Sequence, residues 1–281
     1  MSVNFQYPST PTPQHPGSLT FLKLGGSLIT DKNKTSTVRP DVLARLAGEI
    51  AATFTANPDM KLVLGHGSGS FGHKAAKKYG TRQGVHTPEG WRGYAEVWFQ
   101  ASALNRLVVE ALQAAGLPAI AFPISAAAVT TNGKVTTWNL TPLKTALEQS
   151  LLPVVYGDVV VDTELGGTIL STEDIFQHLA LQLEPGRILL AGIEAGVWAD
   201  FPECTQLIET ITPGSAAQLS TVLGGSAATD VTGGMASKVA EMLALVAQIA
   251  GLEVSIFSGQ EPGAIKDTLL GGKMGTRISA A

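Results

Sequence analysis

Short apolar runs that end in glycine-rich loops and lead into helical patterns constrain this chain more than any other feature. Leu19–Leu24 is apolar and stops at Gly25-Gly26; Pro40 then opens a stretch with Leu43, Leu46, Ala47, Ile50 and Phe54 on one helical face. The pattern returns at 61–64, where the loop 65–72 is followed by helical spacing of Val97, Ala101, Leu104, Val108 and Leu112. Fully apolar strands joined by crossover helices predict a parallel sheet covered on both faces.

Further strands are expected at 119–122, 154–156, 188–190 and 254–257, and further helices at 174–183 and 237–250. Two hairpins are expected, one turning at Asn132-Gly133 and one at Gly166-Gly167. The fold class that accounts for all of these is α/β, an open and mainly parallel sheet sandwiched by helices, with β-hairpins rimming one side of a site. With 44% apolar and 15% charged residues, the 281-residue chain can bury the core such a fold needs. Residues 1–18 hold four prolines and polar spacers, without a basic flank and apolar run, and read as a flexible tail. The remainder, 19–281, reads as one domain, with a weaker division near Gly186 between lobes of about 19–185 and 186–281.

Charge narrows the function. A formal net charge of −4 gives no broad attraction to nucleic acid or to an anionic membrane. Apolar stretches are interrupted before the roughly 20 residues that span a bilayer. The lone Cys204 excludes an intrachain disulfide and a multi-thiolate zinc site, and fits a reducing, cytoplasmic setting.

The chemistry is expected at strand ends, where loops diverge and helix N-termini face a crevice. Three glycine segments lie there: Lys23-Leu24-Gly25-Gly26-Ser27 with Asp31-Lys32; Gly65 through Gly72 with His73; and Asp230-Val231-Thr232-Gly233-Gly234 with Lys238. Glycine lets backbone N–H groups approach phosphate oxygens, and lysine adds mobile positive charge. No GxxxxGK[ST] loop is present, nor the HRD and DFG pair of protein kinases. The GxGxxG spacing at Gly67–Gly72 is followed by Lys74, Lys77 and Lys78, without an acidic ribose partner after the next strand, which disfavours a dinucleotide site.

Together these segments, with Gly271 through Ile278, resemble the amino acid kinase family. Ser70-Phe71-Gly72-His73 followed by Ala76-Lys77-Lys78-Tyr79-Gly80 resembles its isopentenyl phosphate kinase branch, as do Tyr156-Gly157-Asp158, Ser171 through Ile175, and Ser258-Gly259 leading to Gly275-Thr276. The resemblance implies phosphoryl transfer from ATP, with Mg2+, to isopentenyl phosphate on an alternative mevalonate route, by an enzyme that pairs as a homodimer. It further implies that Lys23 and Lys238 contact ATP phosphates and Lys32 stabilises the transferring group. Gly25, Gly26, Ser27, Gly69 and Gly234 would line the ATP site, Asp174 would hold the lysines, and Ser68, His73 and Gly157 would bind the acceptor. No protein-held metal is implied.

Three departures stand out: Ser68 replaces a frequent third glycine, Ser171-Thr172-Glu173-Asp174 replaces Ser-Gly-Asp-Asp, and Ile193-Glu194-Ala195-Gly196 replaces Asp-x-x-Gly. Glu194 either serves the role of that aspartate or does not; Asp158 is either functional or a turn residue. Tyr94, Val97 and Trp98 line an apolar acceptor pocket or form plain helix core. His66, His86 and His178 read as structural or exposed. The alternatives to the implied activity are another kinase of the family, such as a fosfomycin-type phosphonate kinase, and a nucleotide-binding sensor without turnover.

Overall fold

The computed structural model describes residues 19–215 and 234–280. The tail 1–18 and the third glycine segment as far as Gly233 lie outside the described residues.

Eight strands form the main sheet: β1 (Leu19–Leu24), β2 (Lys61–His66), β3 (Ala119–Ala121), β6 (Leu152–Tyr156), β9 (Arg187–Gly192), β10 (Thr210–Ile211), β11 (Glu253–Ser258) and β12 (Thr276–Ile278). Their order is β10-β12-β11-β9-β1-β2-β6-β3. All neighbours are parallel except β11 with β12. The sheet therefore runs unbroken across residue 186, because β9 pairs with β1 from residue Thr20 onward. The α/β reading with a mainly parallel sheet holds.

Alternation along each strand sends side chains to two separate cores. Phe21, Val63, Val155 and Ile188 face one side, against α5 (Thr141–Glu148), α6 (Thr172–Leu183) and α7 (Gly234–Val246). Leu22, Leu24, Leu62, Leu64 and Leu189 face the other, against α2 (Pro40–Ala56), α4 (Pro88–Ala114) and α8 (Ala264–Leu269). Two short helices complete the crevice side, α1 (Gly26–Ile29) and α3 (His73–Tyr79). Helix α4 starts where Thr87 accepts a hydrogen bond from the Gly90 N–H and Pro88 occupies the first turn. Helix α6 starts with a capping box in which Ser171 and Asp174 bond each other's backbone N–H. Among the described residues no helix is long and apolar enough to cross a membrane.

The hairpins form a second sheet, ordered β5 (Lys134–Trp138), β4 (Ala128–Thr131), β7 (Asp158–Asp162) and β8 (Gly166–Leu170). The first turns at Asn132-Gly133, both at positive φ, as expected for this pair. The second turns three residues earlier than expected, over residues 163–165, and Gly166-Gly167 lie inside β8. The reason is Asp162. Its buried carboxylate accepts from the N–H groups of Glu164 (3.0 Å) and Leu165 (2.9 Å), which starts the turn at once. It also accepts from Thr130 Oγ1 (2.7 Å), Asn132 N (3.1 Å) and Gly133 N (2.8 Å), tying both hairpins to one group.

Burial by itself would raise the Asp162 pKa, but these hydrogen bonds outweigh it and hold the carboxyl well below its usual range. Asp162→Asn should therefore cost about 1–3 kcal/mol of stability at neutral pH. The gap to the parent should shrink below about pH 4, because a carboxylate with a depressed pKa loses its contribution as pH falls. Denaturant titrations at neutral and at acid pH check both expectations.

Candidate active site

The parallel strands β1, β2, β6, β9 and β11 all end at one edge, and the glycine loops leave from it. The first two loops lie against each other. A Cβ on Gly26 would overlap the Gly69 backbone, and one on Gly67 would come within 2.8 Å of the Gly26 nitrogen. Only glycine permits this approach. Thr30 fastens it, donating to Gly26 O (2.7 Å) while accepting from Ser70 N (2.9 Å). The N–H groups of Gly26 and Ser27, in the first turn of α1, have no intrahelical acceptor and suit phosphate oxygens. Gly25 differs from the expectation. Its N–H donates to Ala191 O (2.7 Å), since pairing with β9 continues one residue past β1, and so it is not available as a phosphate donor.

Lys23 is nearly buried at the end of β1 and forms an ion pair with Glu173. Lys238, on the first turns of α7, lies 3.9 Å from the same carboxylate oxygen and is 29% exposed. Burial alone would raise the Glu173 pKa, but the two ammonium groups override it and keep the carboxylate ionised. The group that gathers the lysines is therefore Glu173. The expectation that Asp174 does so is corrected: Asp174 accepts from the Ser171 N–H (2.7 Å) and Ser171 Oγ (2.8 Å), and pairs with Arg82 at 3.3 Å. Successive helical residues point about 100° apart, so only one of the two carboxylates can face the sheet ends.

At the far end of the second glycine loop, Ser68 Oγ and His73 Nδ1 share a hydrogen bond of 3.2 Å. Gly72 is left-handed at φ 78°, and its N–H donates to Gln100 Oε1 of α4 (2.7 Å), fixing the start of α3. Beside it Ala75, Val97 and Val159 form an apolar cluster, joined by Tyr79, Tyr94 and Ile169. Trp98 is outside that cluster and 45% exposed. At Gly157, the N–H donates to Thr172 Oγ1 (3.1 Å), whose hydroxyl in turn donates to His66 O (2.6 Å). Asp158 is buried and accepts from Ser125 Oγ (2.7 Å); burial lifts its pKa to about 6. His66 is buried, stacked on Tyr156, and held neutral with a pKa near about 4, chiefly by burial. Lys32 is exposed on the loop after Thr30 and pairs with no carboxylate among the described residues; Glu194 is exposed and accepts from Trp198 Nε1 (3.3 Å).

The sequence pattern of the amino acid kinase family matches residues 18–258. The chain is 35% identical to the isopentenyl phosphate kinase of Methanothermobacter thermautotrophicus over 92% of its own length and 98% of that protein. It is 33% identical to the isopentenyl phosphate kinase of Methanocaldococcus jannaschii, with the same coverage. A solved isopentenyl phosphate kinase superposes with a TM-score of 0.78 at 31% identity, covering 93% of this chain and all of that one. The chain belongs to the amino acid kinase family.

Membership in the amino acid kinase family fits the assembled crevice. Lys23, Gly26, Ser27, Gly69, Lys238 and Glu173 meet at the two loops, and Ser68 with His73 flanks them. Giardia carbamate kinase, at 14% identity and a TM-score of 0.65, shares the fold. The residue that sequence reasoning missed is Glu173, and the signal for it was its place as the first of two adjacent carboxylates after Ser171.

Glu173→Gln should lower turnover about 100-fold or more, since two lysines lose the charge that orients them. Asp174→Asn should instead weaken a helix cap by about 1 kcal/mol, visible mainly in thermal unfolding. Steady-state rates and melting curves on the pair separate the two carboxylates.

Proposed function

We propose that this chain transfers the γ-phosphoryl group of ATP to isopentenyl phosphate, giving isopentenyl diphosphate and ADP. The observation that carries the reading is one buried carboxylate gripping two lysines where two glycine loops touch, with His73 and an apolar wall on the neighbouring helices. Likeness to isopentenyl phosphate kinases over nearly the whole chain supports the choice of acceptor.

The acceptor is a phosphate monoester carrying about −1.5 to −2 charge at neutral pH, so its oxygen attacks without a general base. The obstacle is repulsion between two anions, and catalysis is positioning plus neutralisation. In this reading Lys23 and Lys238 hold the phosphates of ATP, with backbone N–H groups of Gly26, Ser27, Gly69 and Gly234. Lys32, mobile at the rim, reaches the group in transit. His73, aligned by Ser68, donates to the acceptor phosphate. An acceptor oxygen bonds the γ-phosphorus as the bond to the bridging oxygen of ADP breaks. Mg2+ would ride on the ATP phosphates, as it ordinarily does with nucleotide substrates. The segment of about 19–185 supplies the acceptor side, with its loops after β1 and β2 reaching across to the ATP phosphates, and the segment of about 186–281 supplies the rest of the nucleotide side.

Likeness to isopentenyl phosphate kinases over nearly the whole chain favours an acceptor with a hydrocarbon tail over a small phosphonate. The lysine arrangement favours turnover over a nucleotide sensor. We take the working form as a cytoplasmic homodimer joined through α4 and the sheet edge. Strand β3 ends the sheet order, Ile120 on it is exposed, and Phe99 on the stripe of α4 with Ser102, Arg106 and Val109 is 67% exposed. Edge strands and exposed apolar stripes of this kind are ordinarily covered.

Coupled ADP release with isopentenyl phosphate, dimethylallyl phosphate, fosfomycin, UMP and acetylglutamate should show strong preference for isopentenyl phosphate. Turnover with another acceptor alone would replace the substrate, and none would leave the sensor. Lys32→Ala should lower kcat about 100-fold while the KM for ATP moves less than about threefold. Phe99→Asp should halve the molar mass measured by light scattering in solution.

A further inference from the structure

Helix α2 carries two charged side chains that the proposed mechanism does not use, although both are largely buried. Arg45 and Glu49 lie one turn apart, 23% and 11% exposed, with Nη1 of Arg45 2.6 Å from Glu49 Oε1. A buried pair of this kind is retained only where its remaining hydrogen-bonding capacity is met. Here it is met by the turn that follows β11. Arg45 Nη2 donates to Gly259 O (2.8 Å) and Nη1 to Glu261 O (3.2 Å). The second oxygen of Glu49 accepts from the N–H groups of Ile265 (3.0 Å) and Lys266 (3.4 Å), at the start of α8.

That turn borders the crevice. Gly259 N donates to Gly192 O (2.9 Å) at the end of β9, and the Gln260 side chain donates to Ile193 O (2.9 Å) on the loop that follows. A Cβ on Gly259 would also lie 2.7 Å from Leu28 of α1, the helix whose first turn carries Gly26 and Ser27. The guanidinium thus holds the turn after β11 from behind, and that turn in its place touches both the helix after the β1 loop and the loop after β9. Neither contact reaches the His73 side, which is held from α4 and the loop after β2.

We infer that Arg45, braced by Glu49, is a positioning residue for the nucleotide, setting the Ser258-Gly259-Gln260 turn and through it the rim of the crevice where ATP binds. This rests on the reading of β9 and β11 as the nucleotide side. The planar guanidinium is suited to the task because it grips two carbonyl oxygens and a carboxylate together, which a lysine ammonium on the same helix does with less fixed geometry.

The test is Arg45→Ala, with Arg45→Lys and Gln260→Ala beside it, in the full-length enzyme. The Kd for ATP, titrated without acceptor, and the KM for ATP should each rise about five- to tenfold in Arg45→Ala, while the acceptor KM stays within about twofold. Arg45→Lys should fall between Arg45→Ala and the parent, and Gln260→Ala, which leaves the buried pair intact, should shift ATP affinity the same way to a lesser degree. A lowered melting temperature with unchanged ATP affinity, or an equal rise in the KM of both substrates, would overturn the inference. If Arg45→Ala does not fold, unaltered ATP affinity in Gln260→Ala and Arg45→Lys would overturn it as well. The acceptor-free titration reads ATP alone, so its result stands whichever acceptor the enzyme takes.

Discussion

The ionised carboxylate of Glu173 sits almost wholly out of water, where a lone charge would be several kcal/mol too costly to keep. Lys23 and Lys238 make it tolerable, and in doing so they are drawn to one point from the end of β1 and the start of α7. Three separate stretches of chain therefore meet because of one charge balance. One carboxylate thus places two ammonium groups side by side, a pairing suited to holding phosphates. Removing Glu173 leaves two ammonium groups side by side with their shared carboxylate gone, so this position tolerates little change.

Around that cluster, space is set by the absence of side chains and by two hydroxyls. Gly26, Gly67 and Gly69 let the loops after β1 and β2 touch, and Thr30 bonds them together. Thr172 does a similar job one strand over, receiving the Gly157 N–H and donating to the His66 carbonyl. Its methyl and the ring of Phe176 fill the position that a side chain at residue 65 would need, which explains why Gly65 stands inside β2. The loops are close-packed against each other, and the hydrogen bonds within them leave few groups to rearrange.

Much of this was legible in the chain itself. The strands announce themselves as apolar runs closed by glycine, and the five predicted apolar positions of α4 are all buried. Asn132-Gly133 is a turn on local grounds alone, because both residues accept positive φ. What was not legible depends on direction or on distant partners. Gly25 looks like a phosphate donor until its N–H group is seen to point at Ala191. Glu173 and Asp174 are equivalent in a string of letters and separated only by helical phase. The second hairpin turned early because a carboxylate caught the next N–H groups, overriding the glycine pair. Strands β10 and β12, of two and three residues, are too short to show a period of their own.

Helix α4 runs for 27 residues, about 40 Å at the usual rise, along the outer side of the sheet. Within a single turn of it, Val97 packs into the apolar wall and Gln100 holds the Gly72 N–H just before His73. Head and tail of the proposed acceptor are thus gauged from the same rigid rod. A slip of α4 along its axis displaces both gauges together and leaves their separation unchanged, so the interval between phosphate and apolar wall is protected from motions of the surrounding layers. In the proposed reading the helix acts as a measuring bar with its zero at Gln100, beside Gly72.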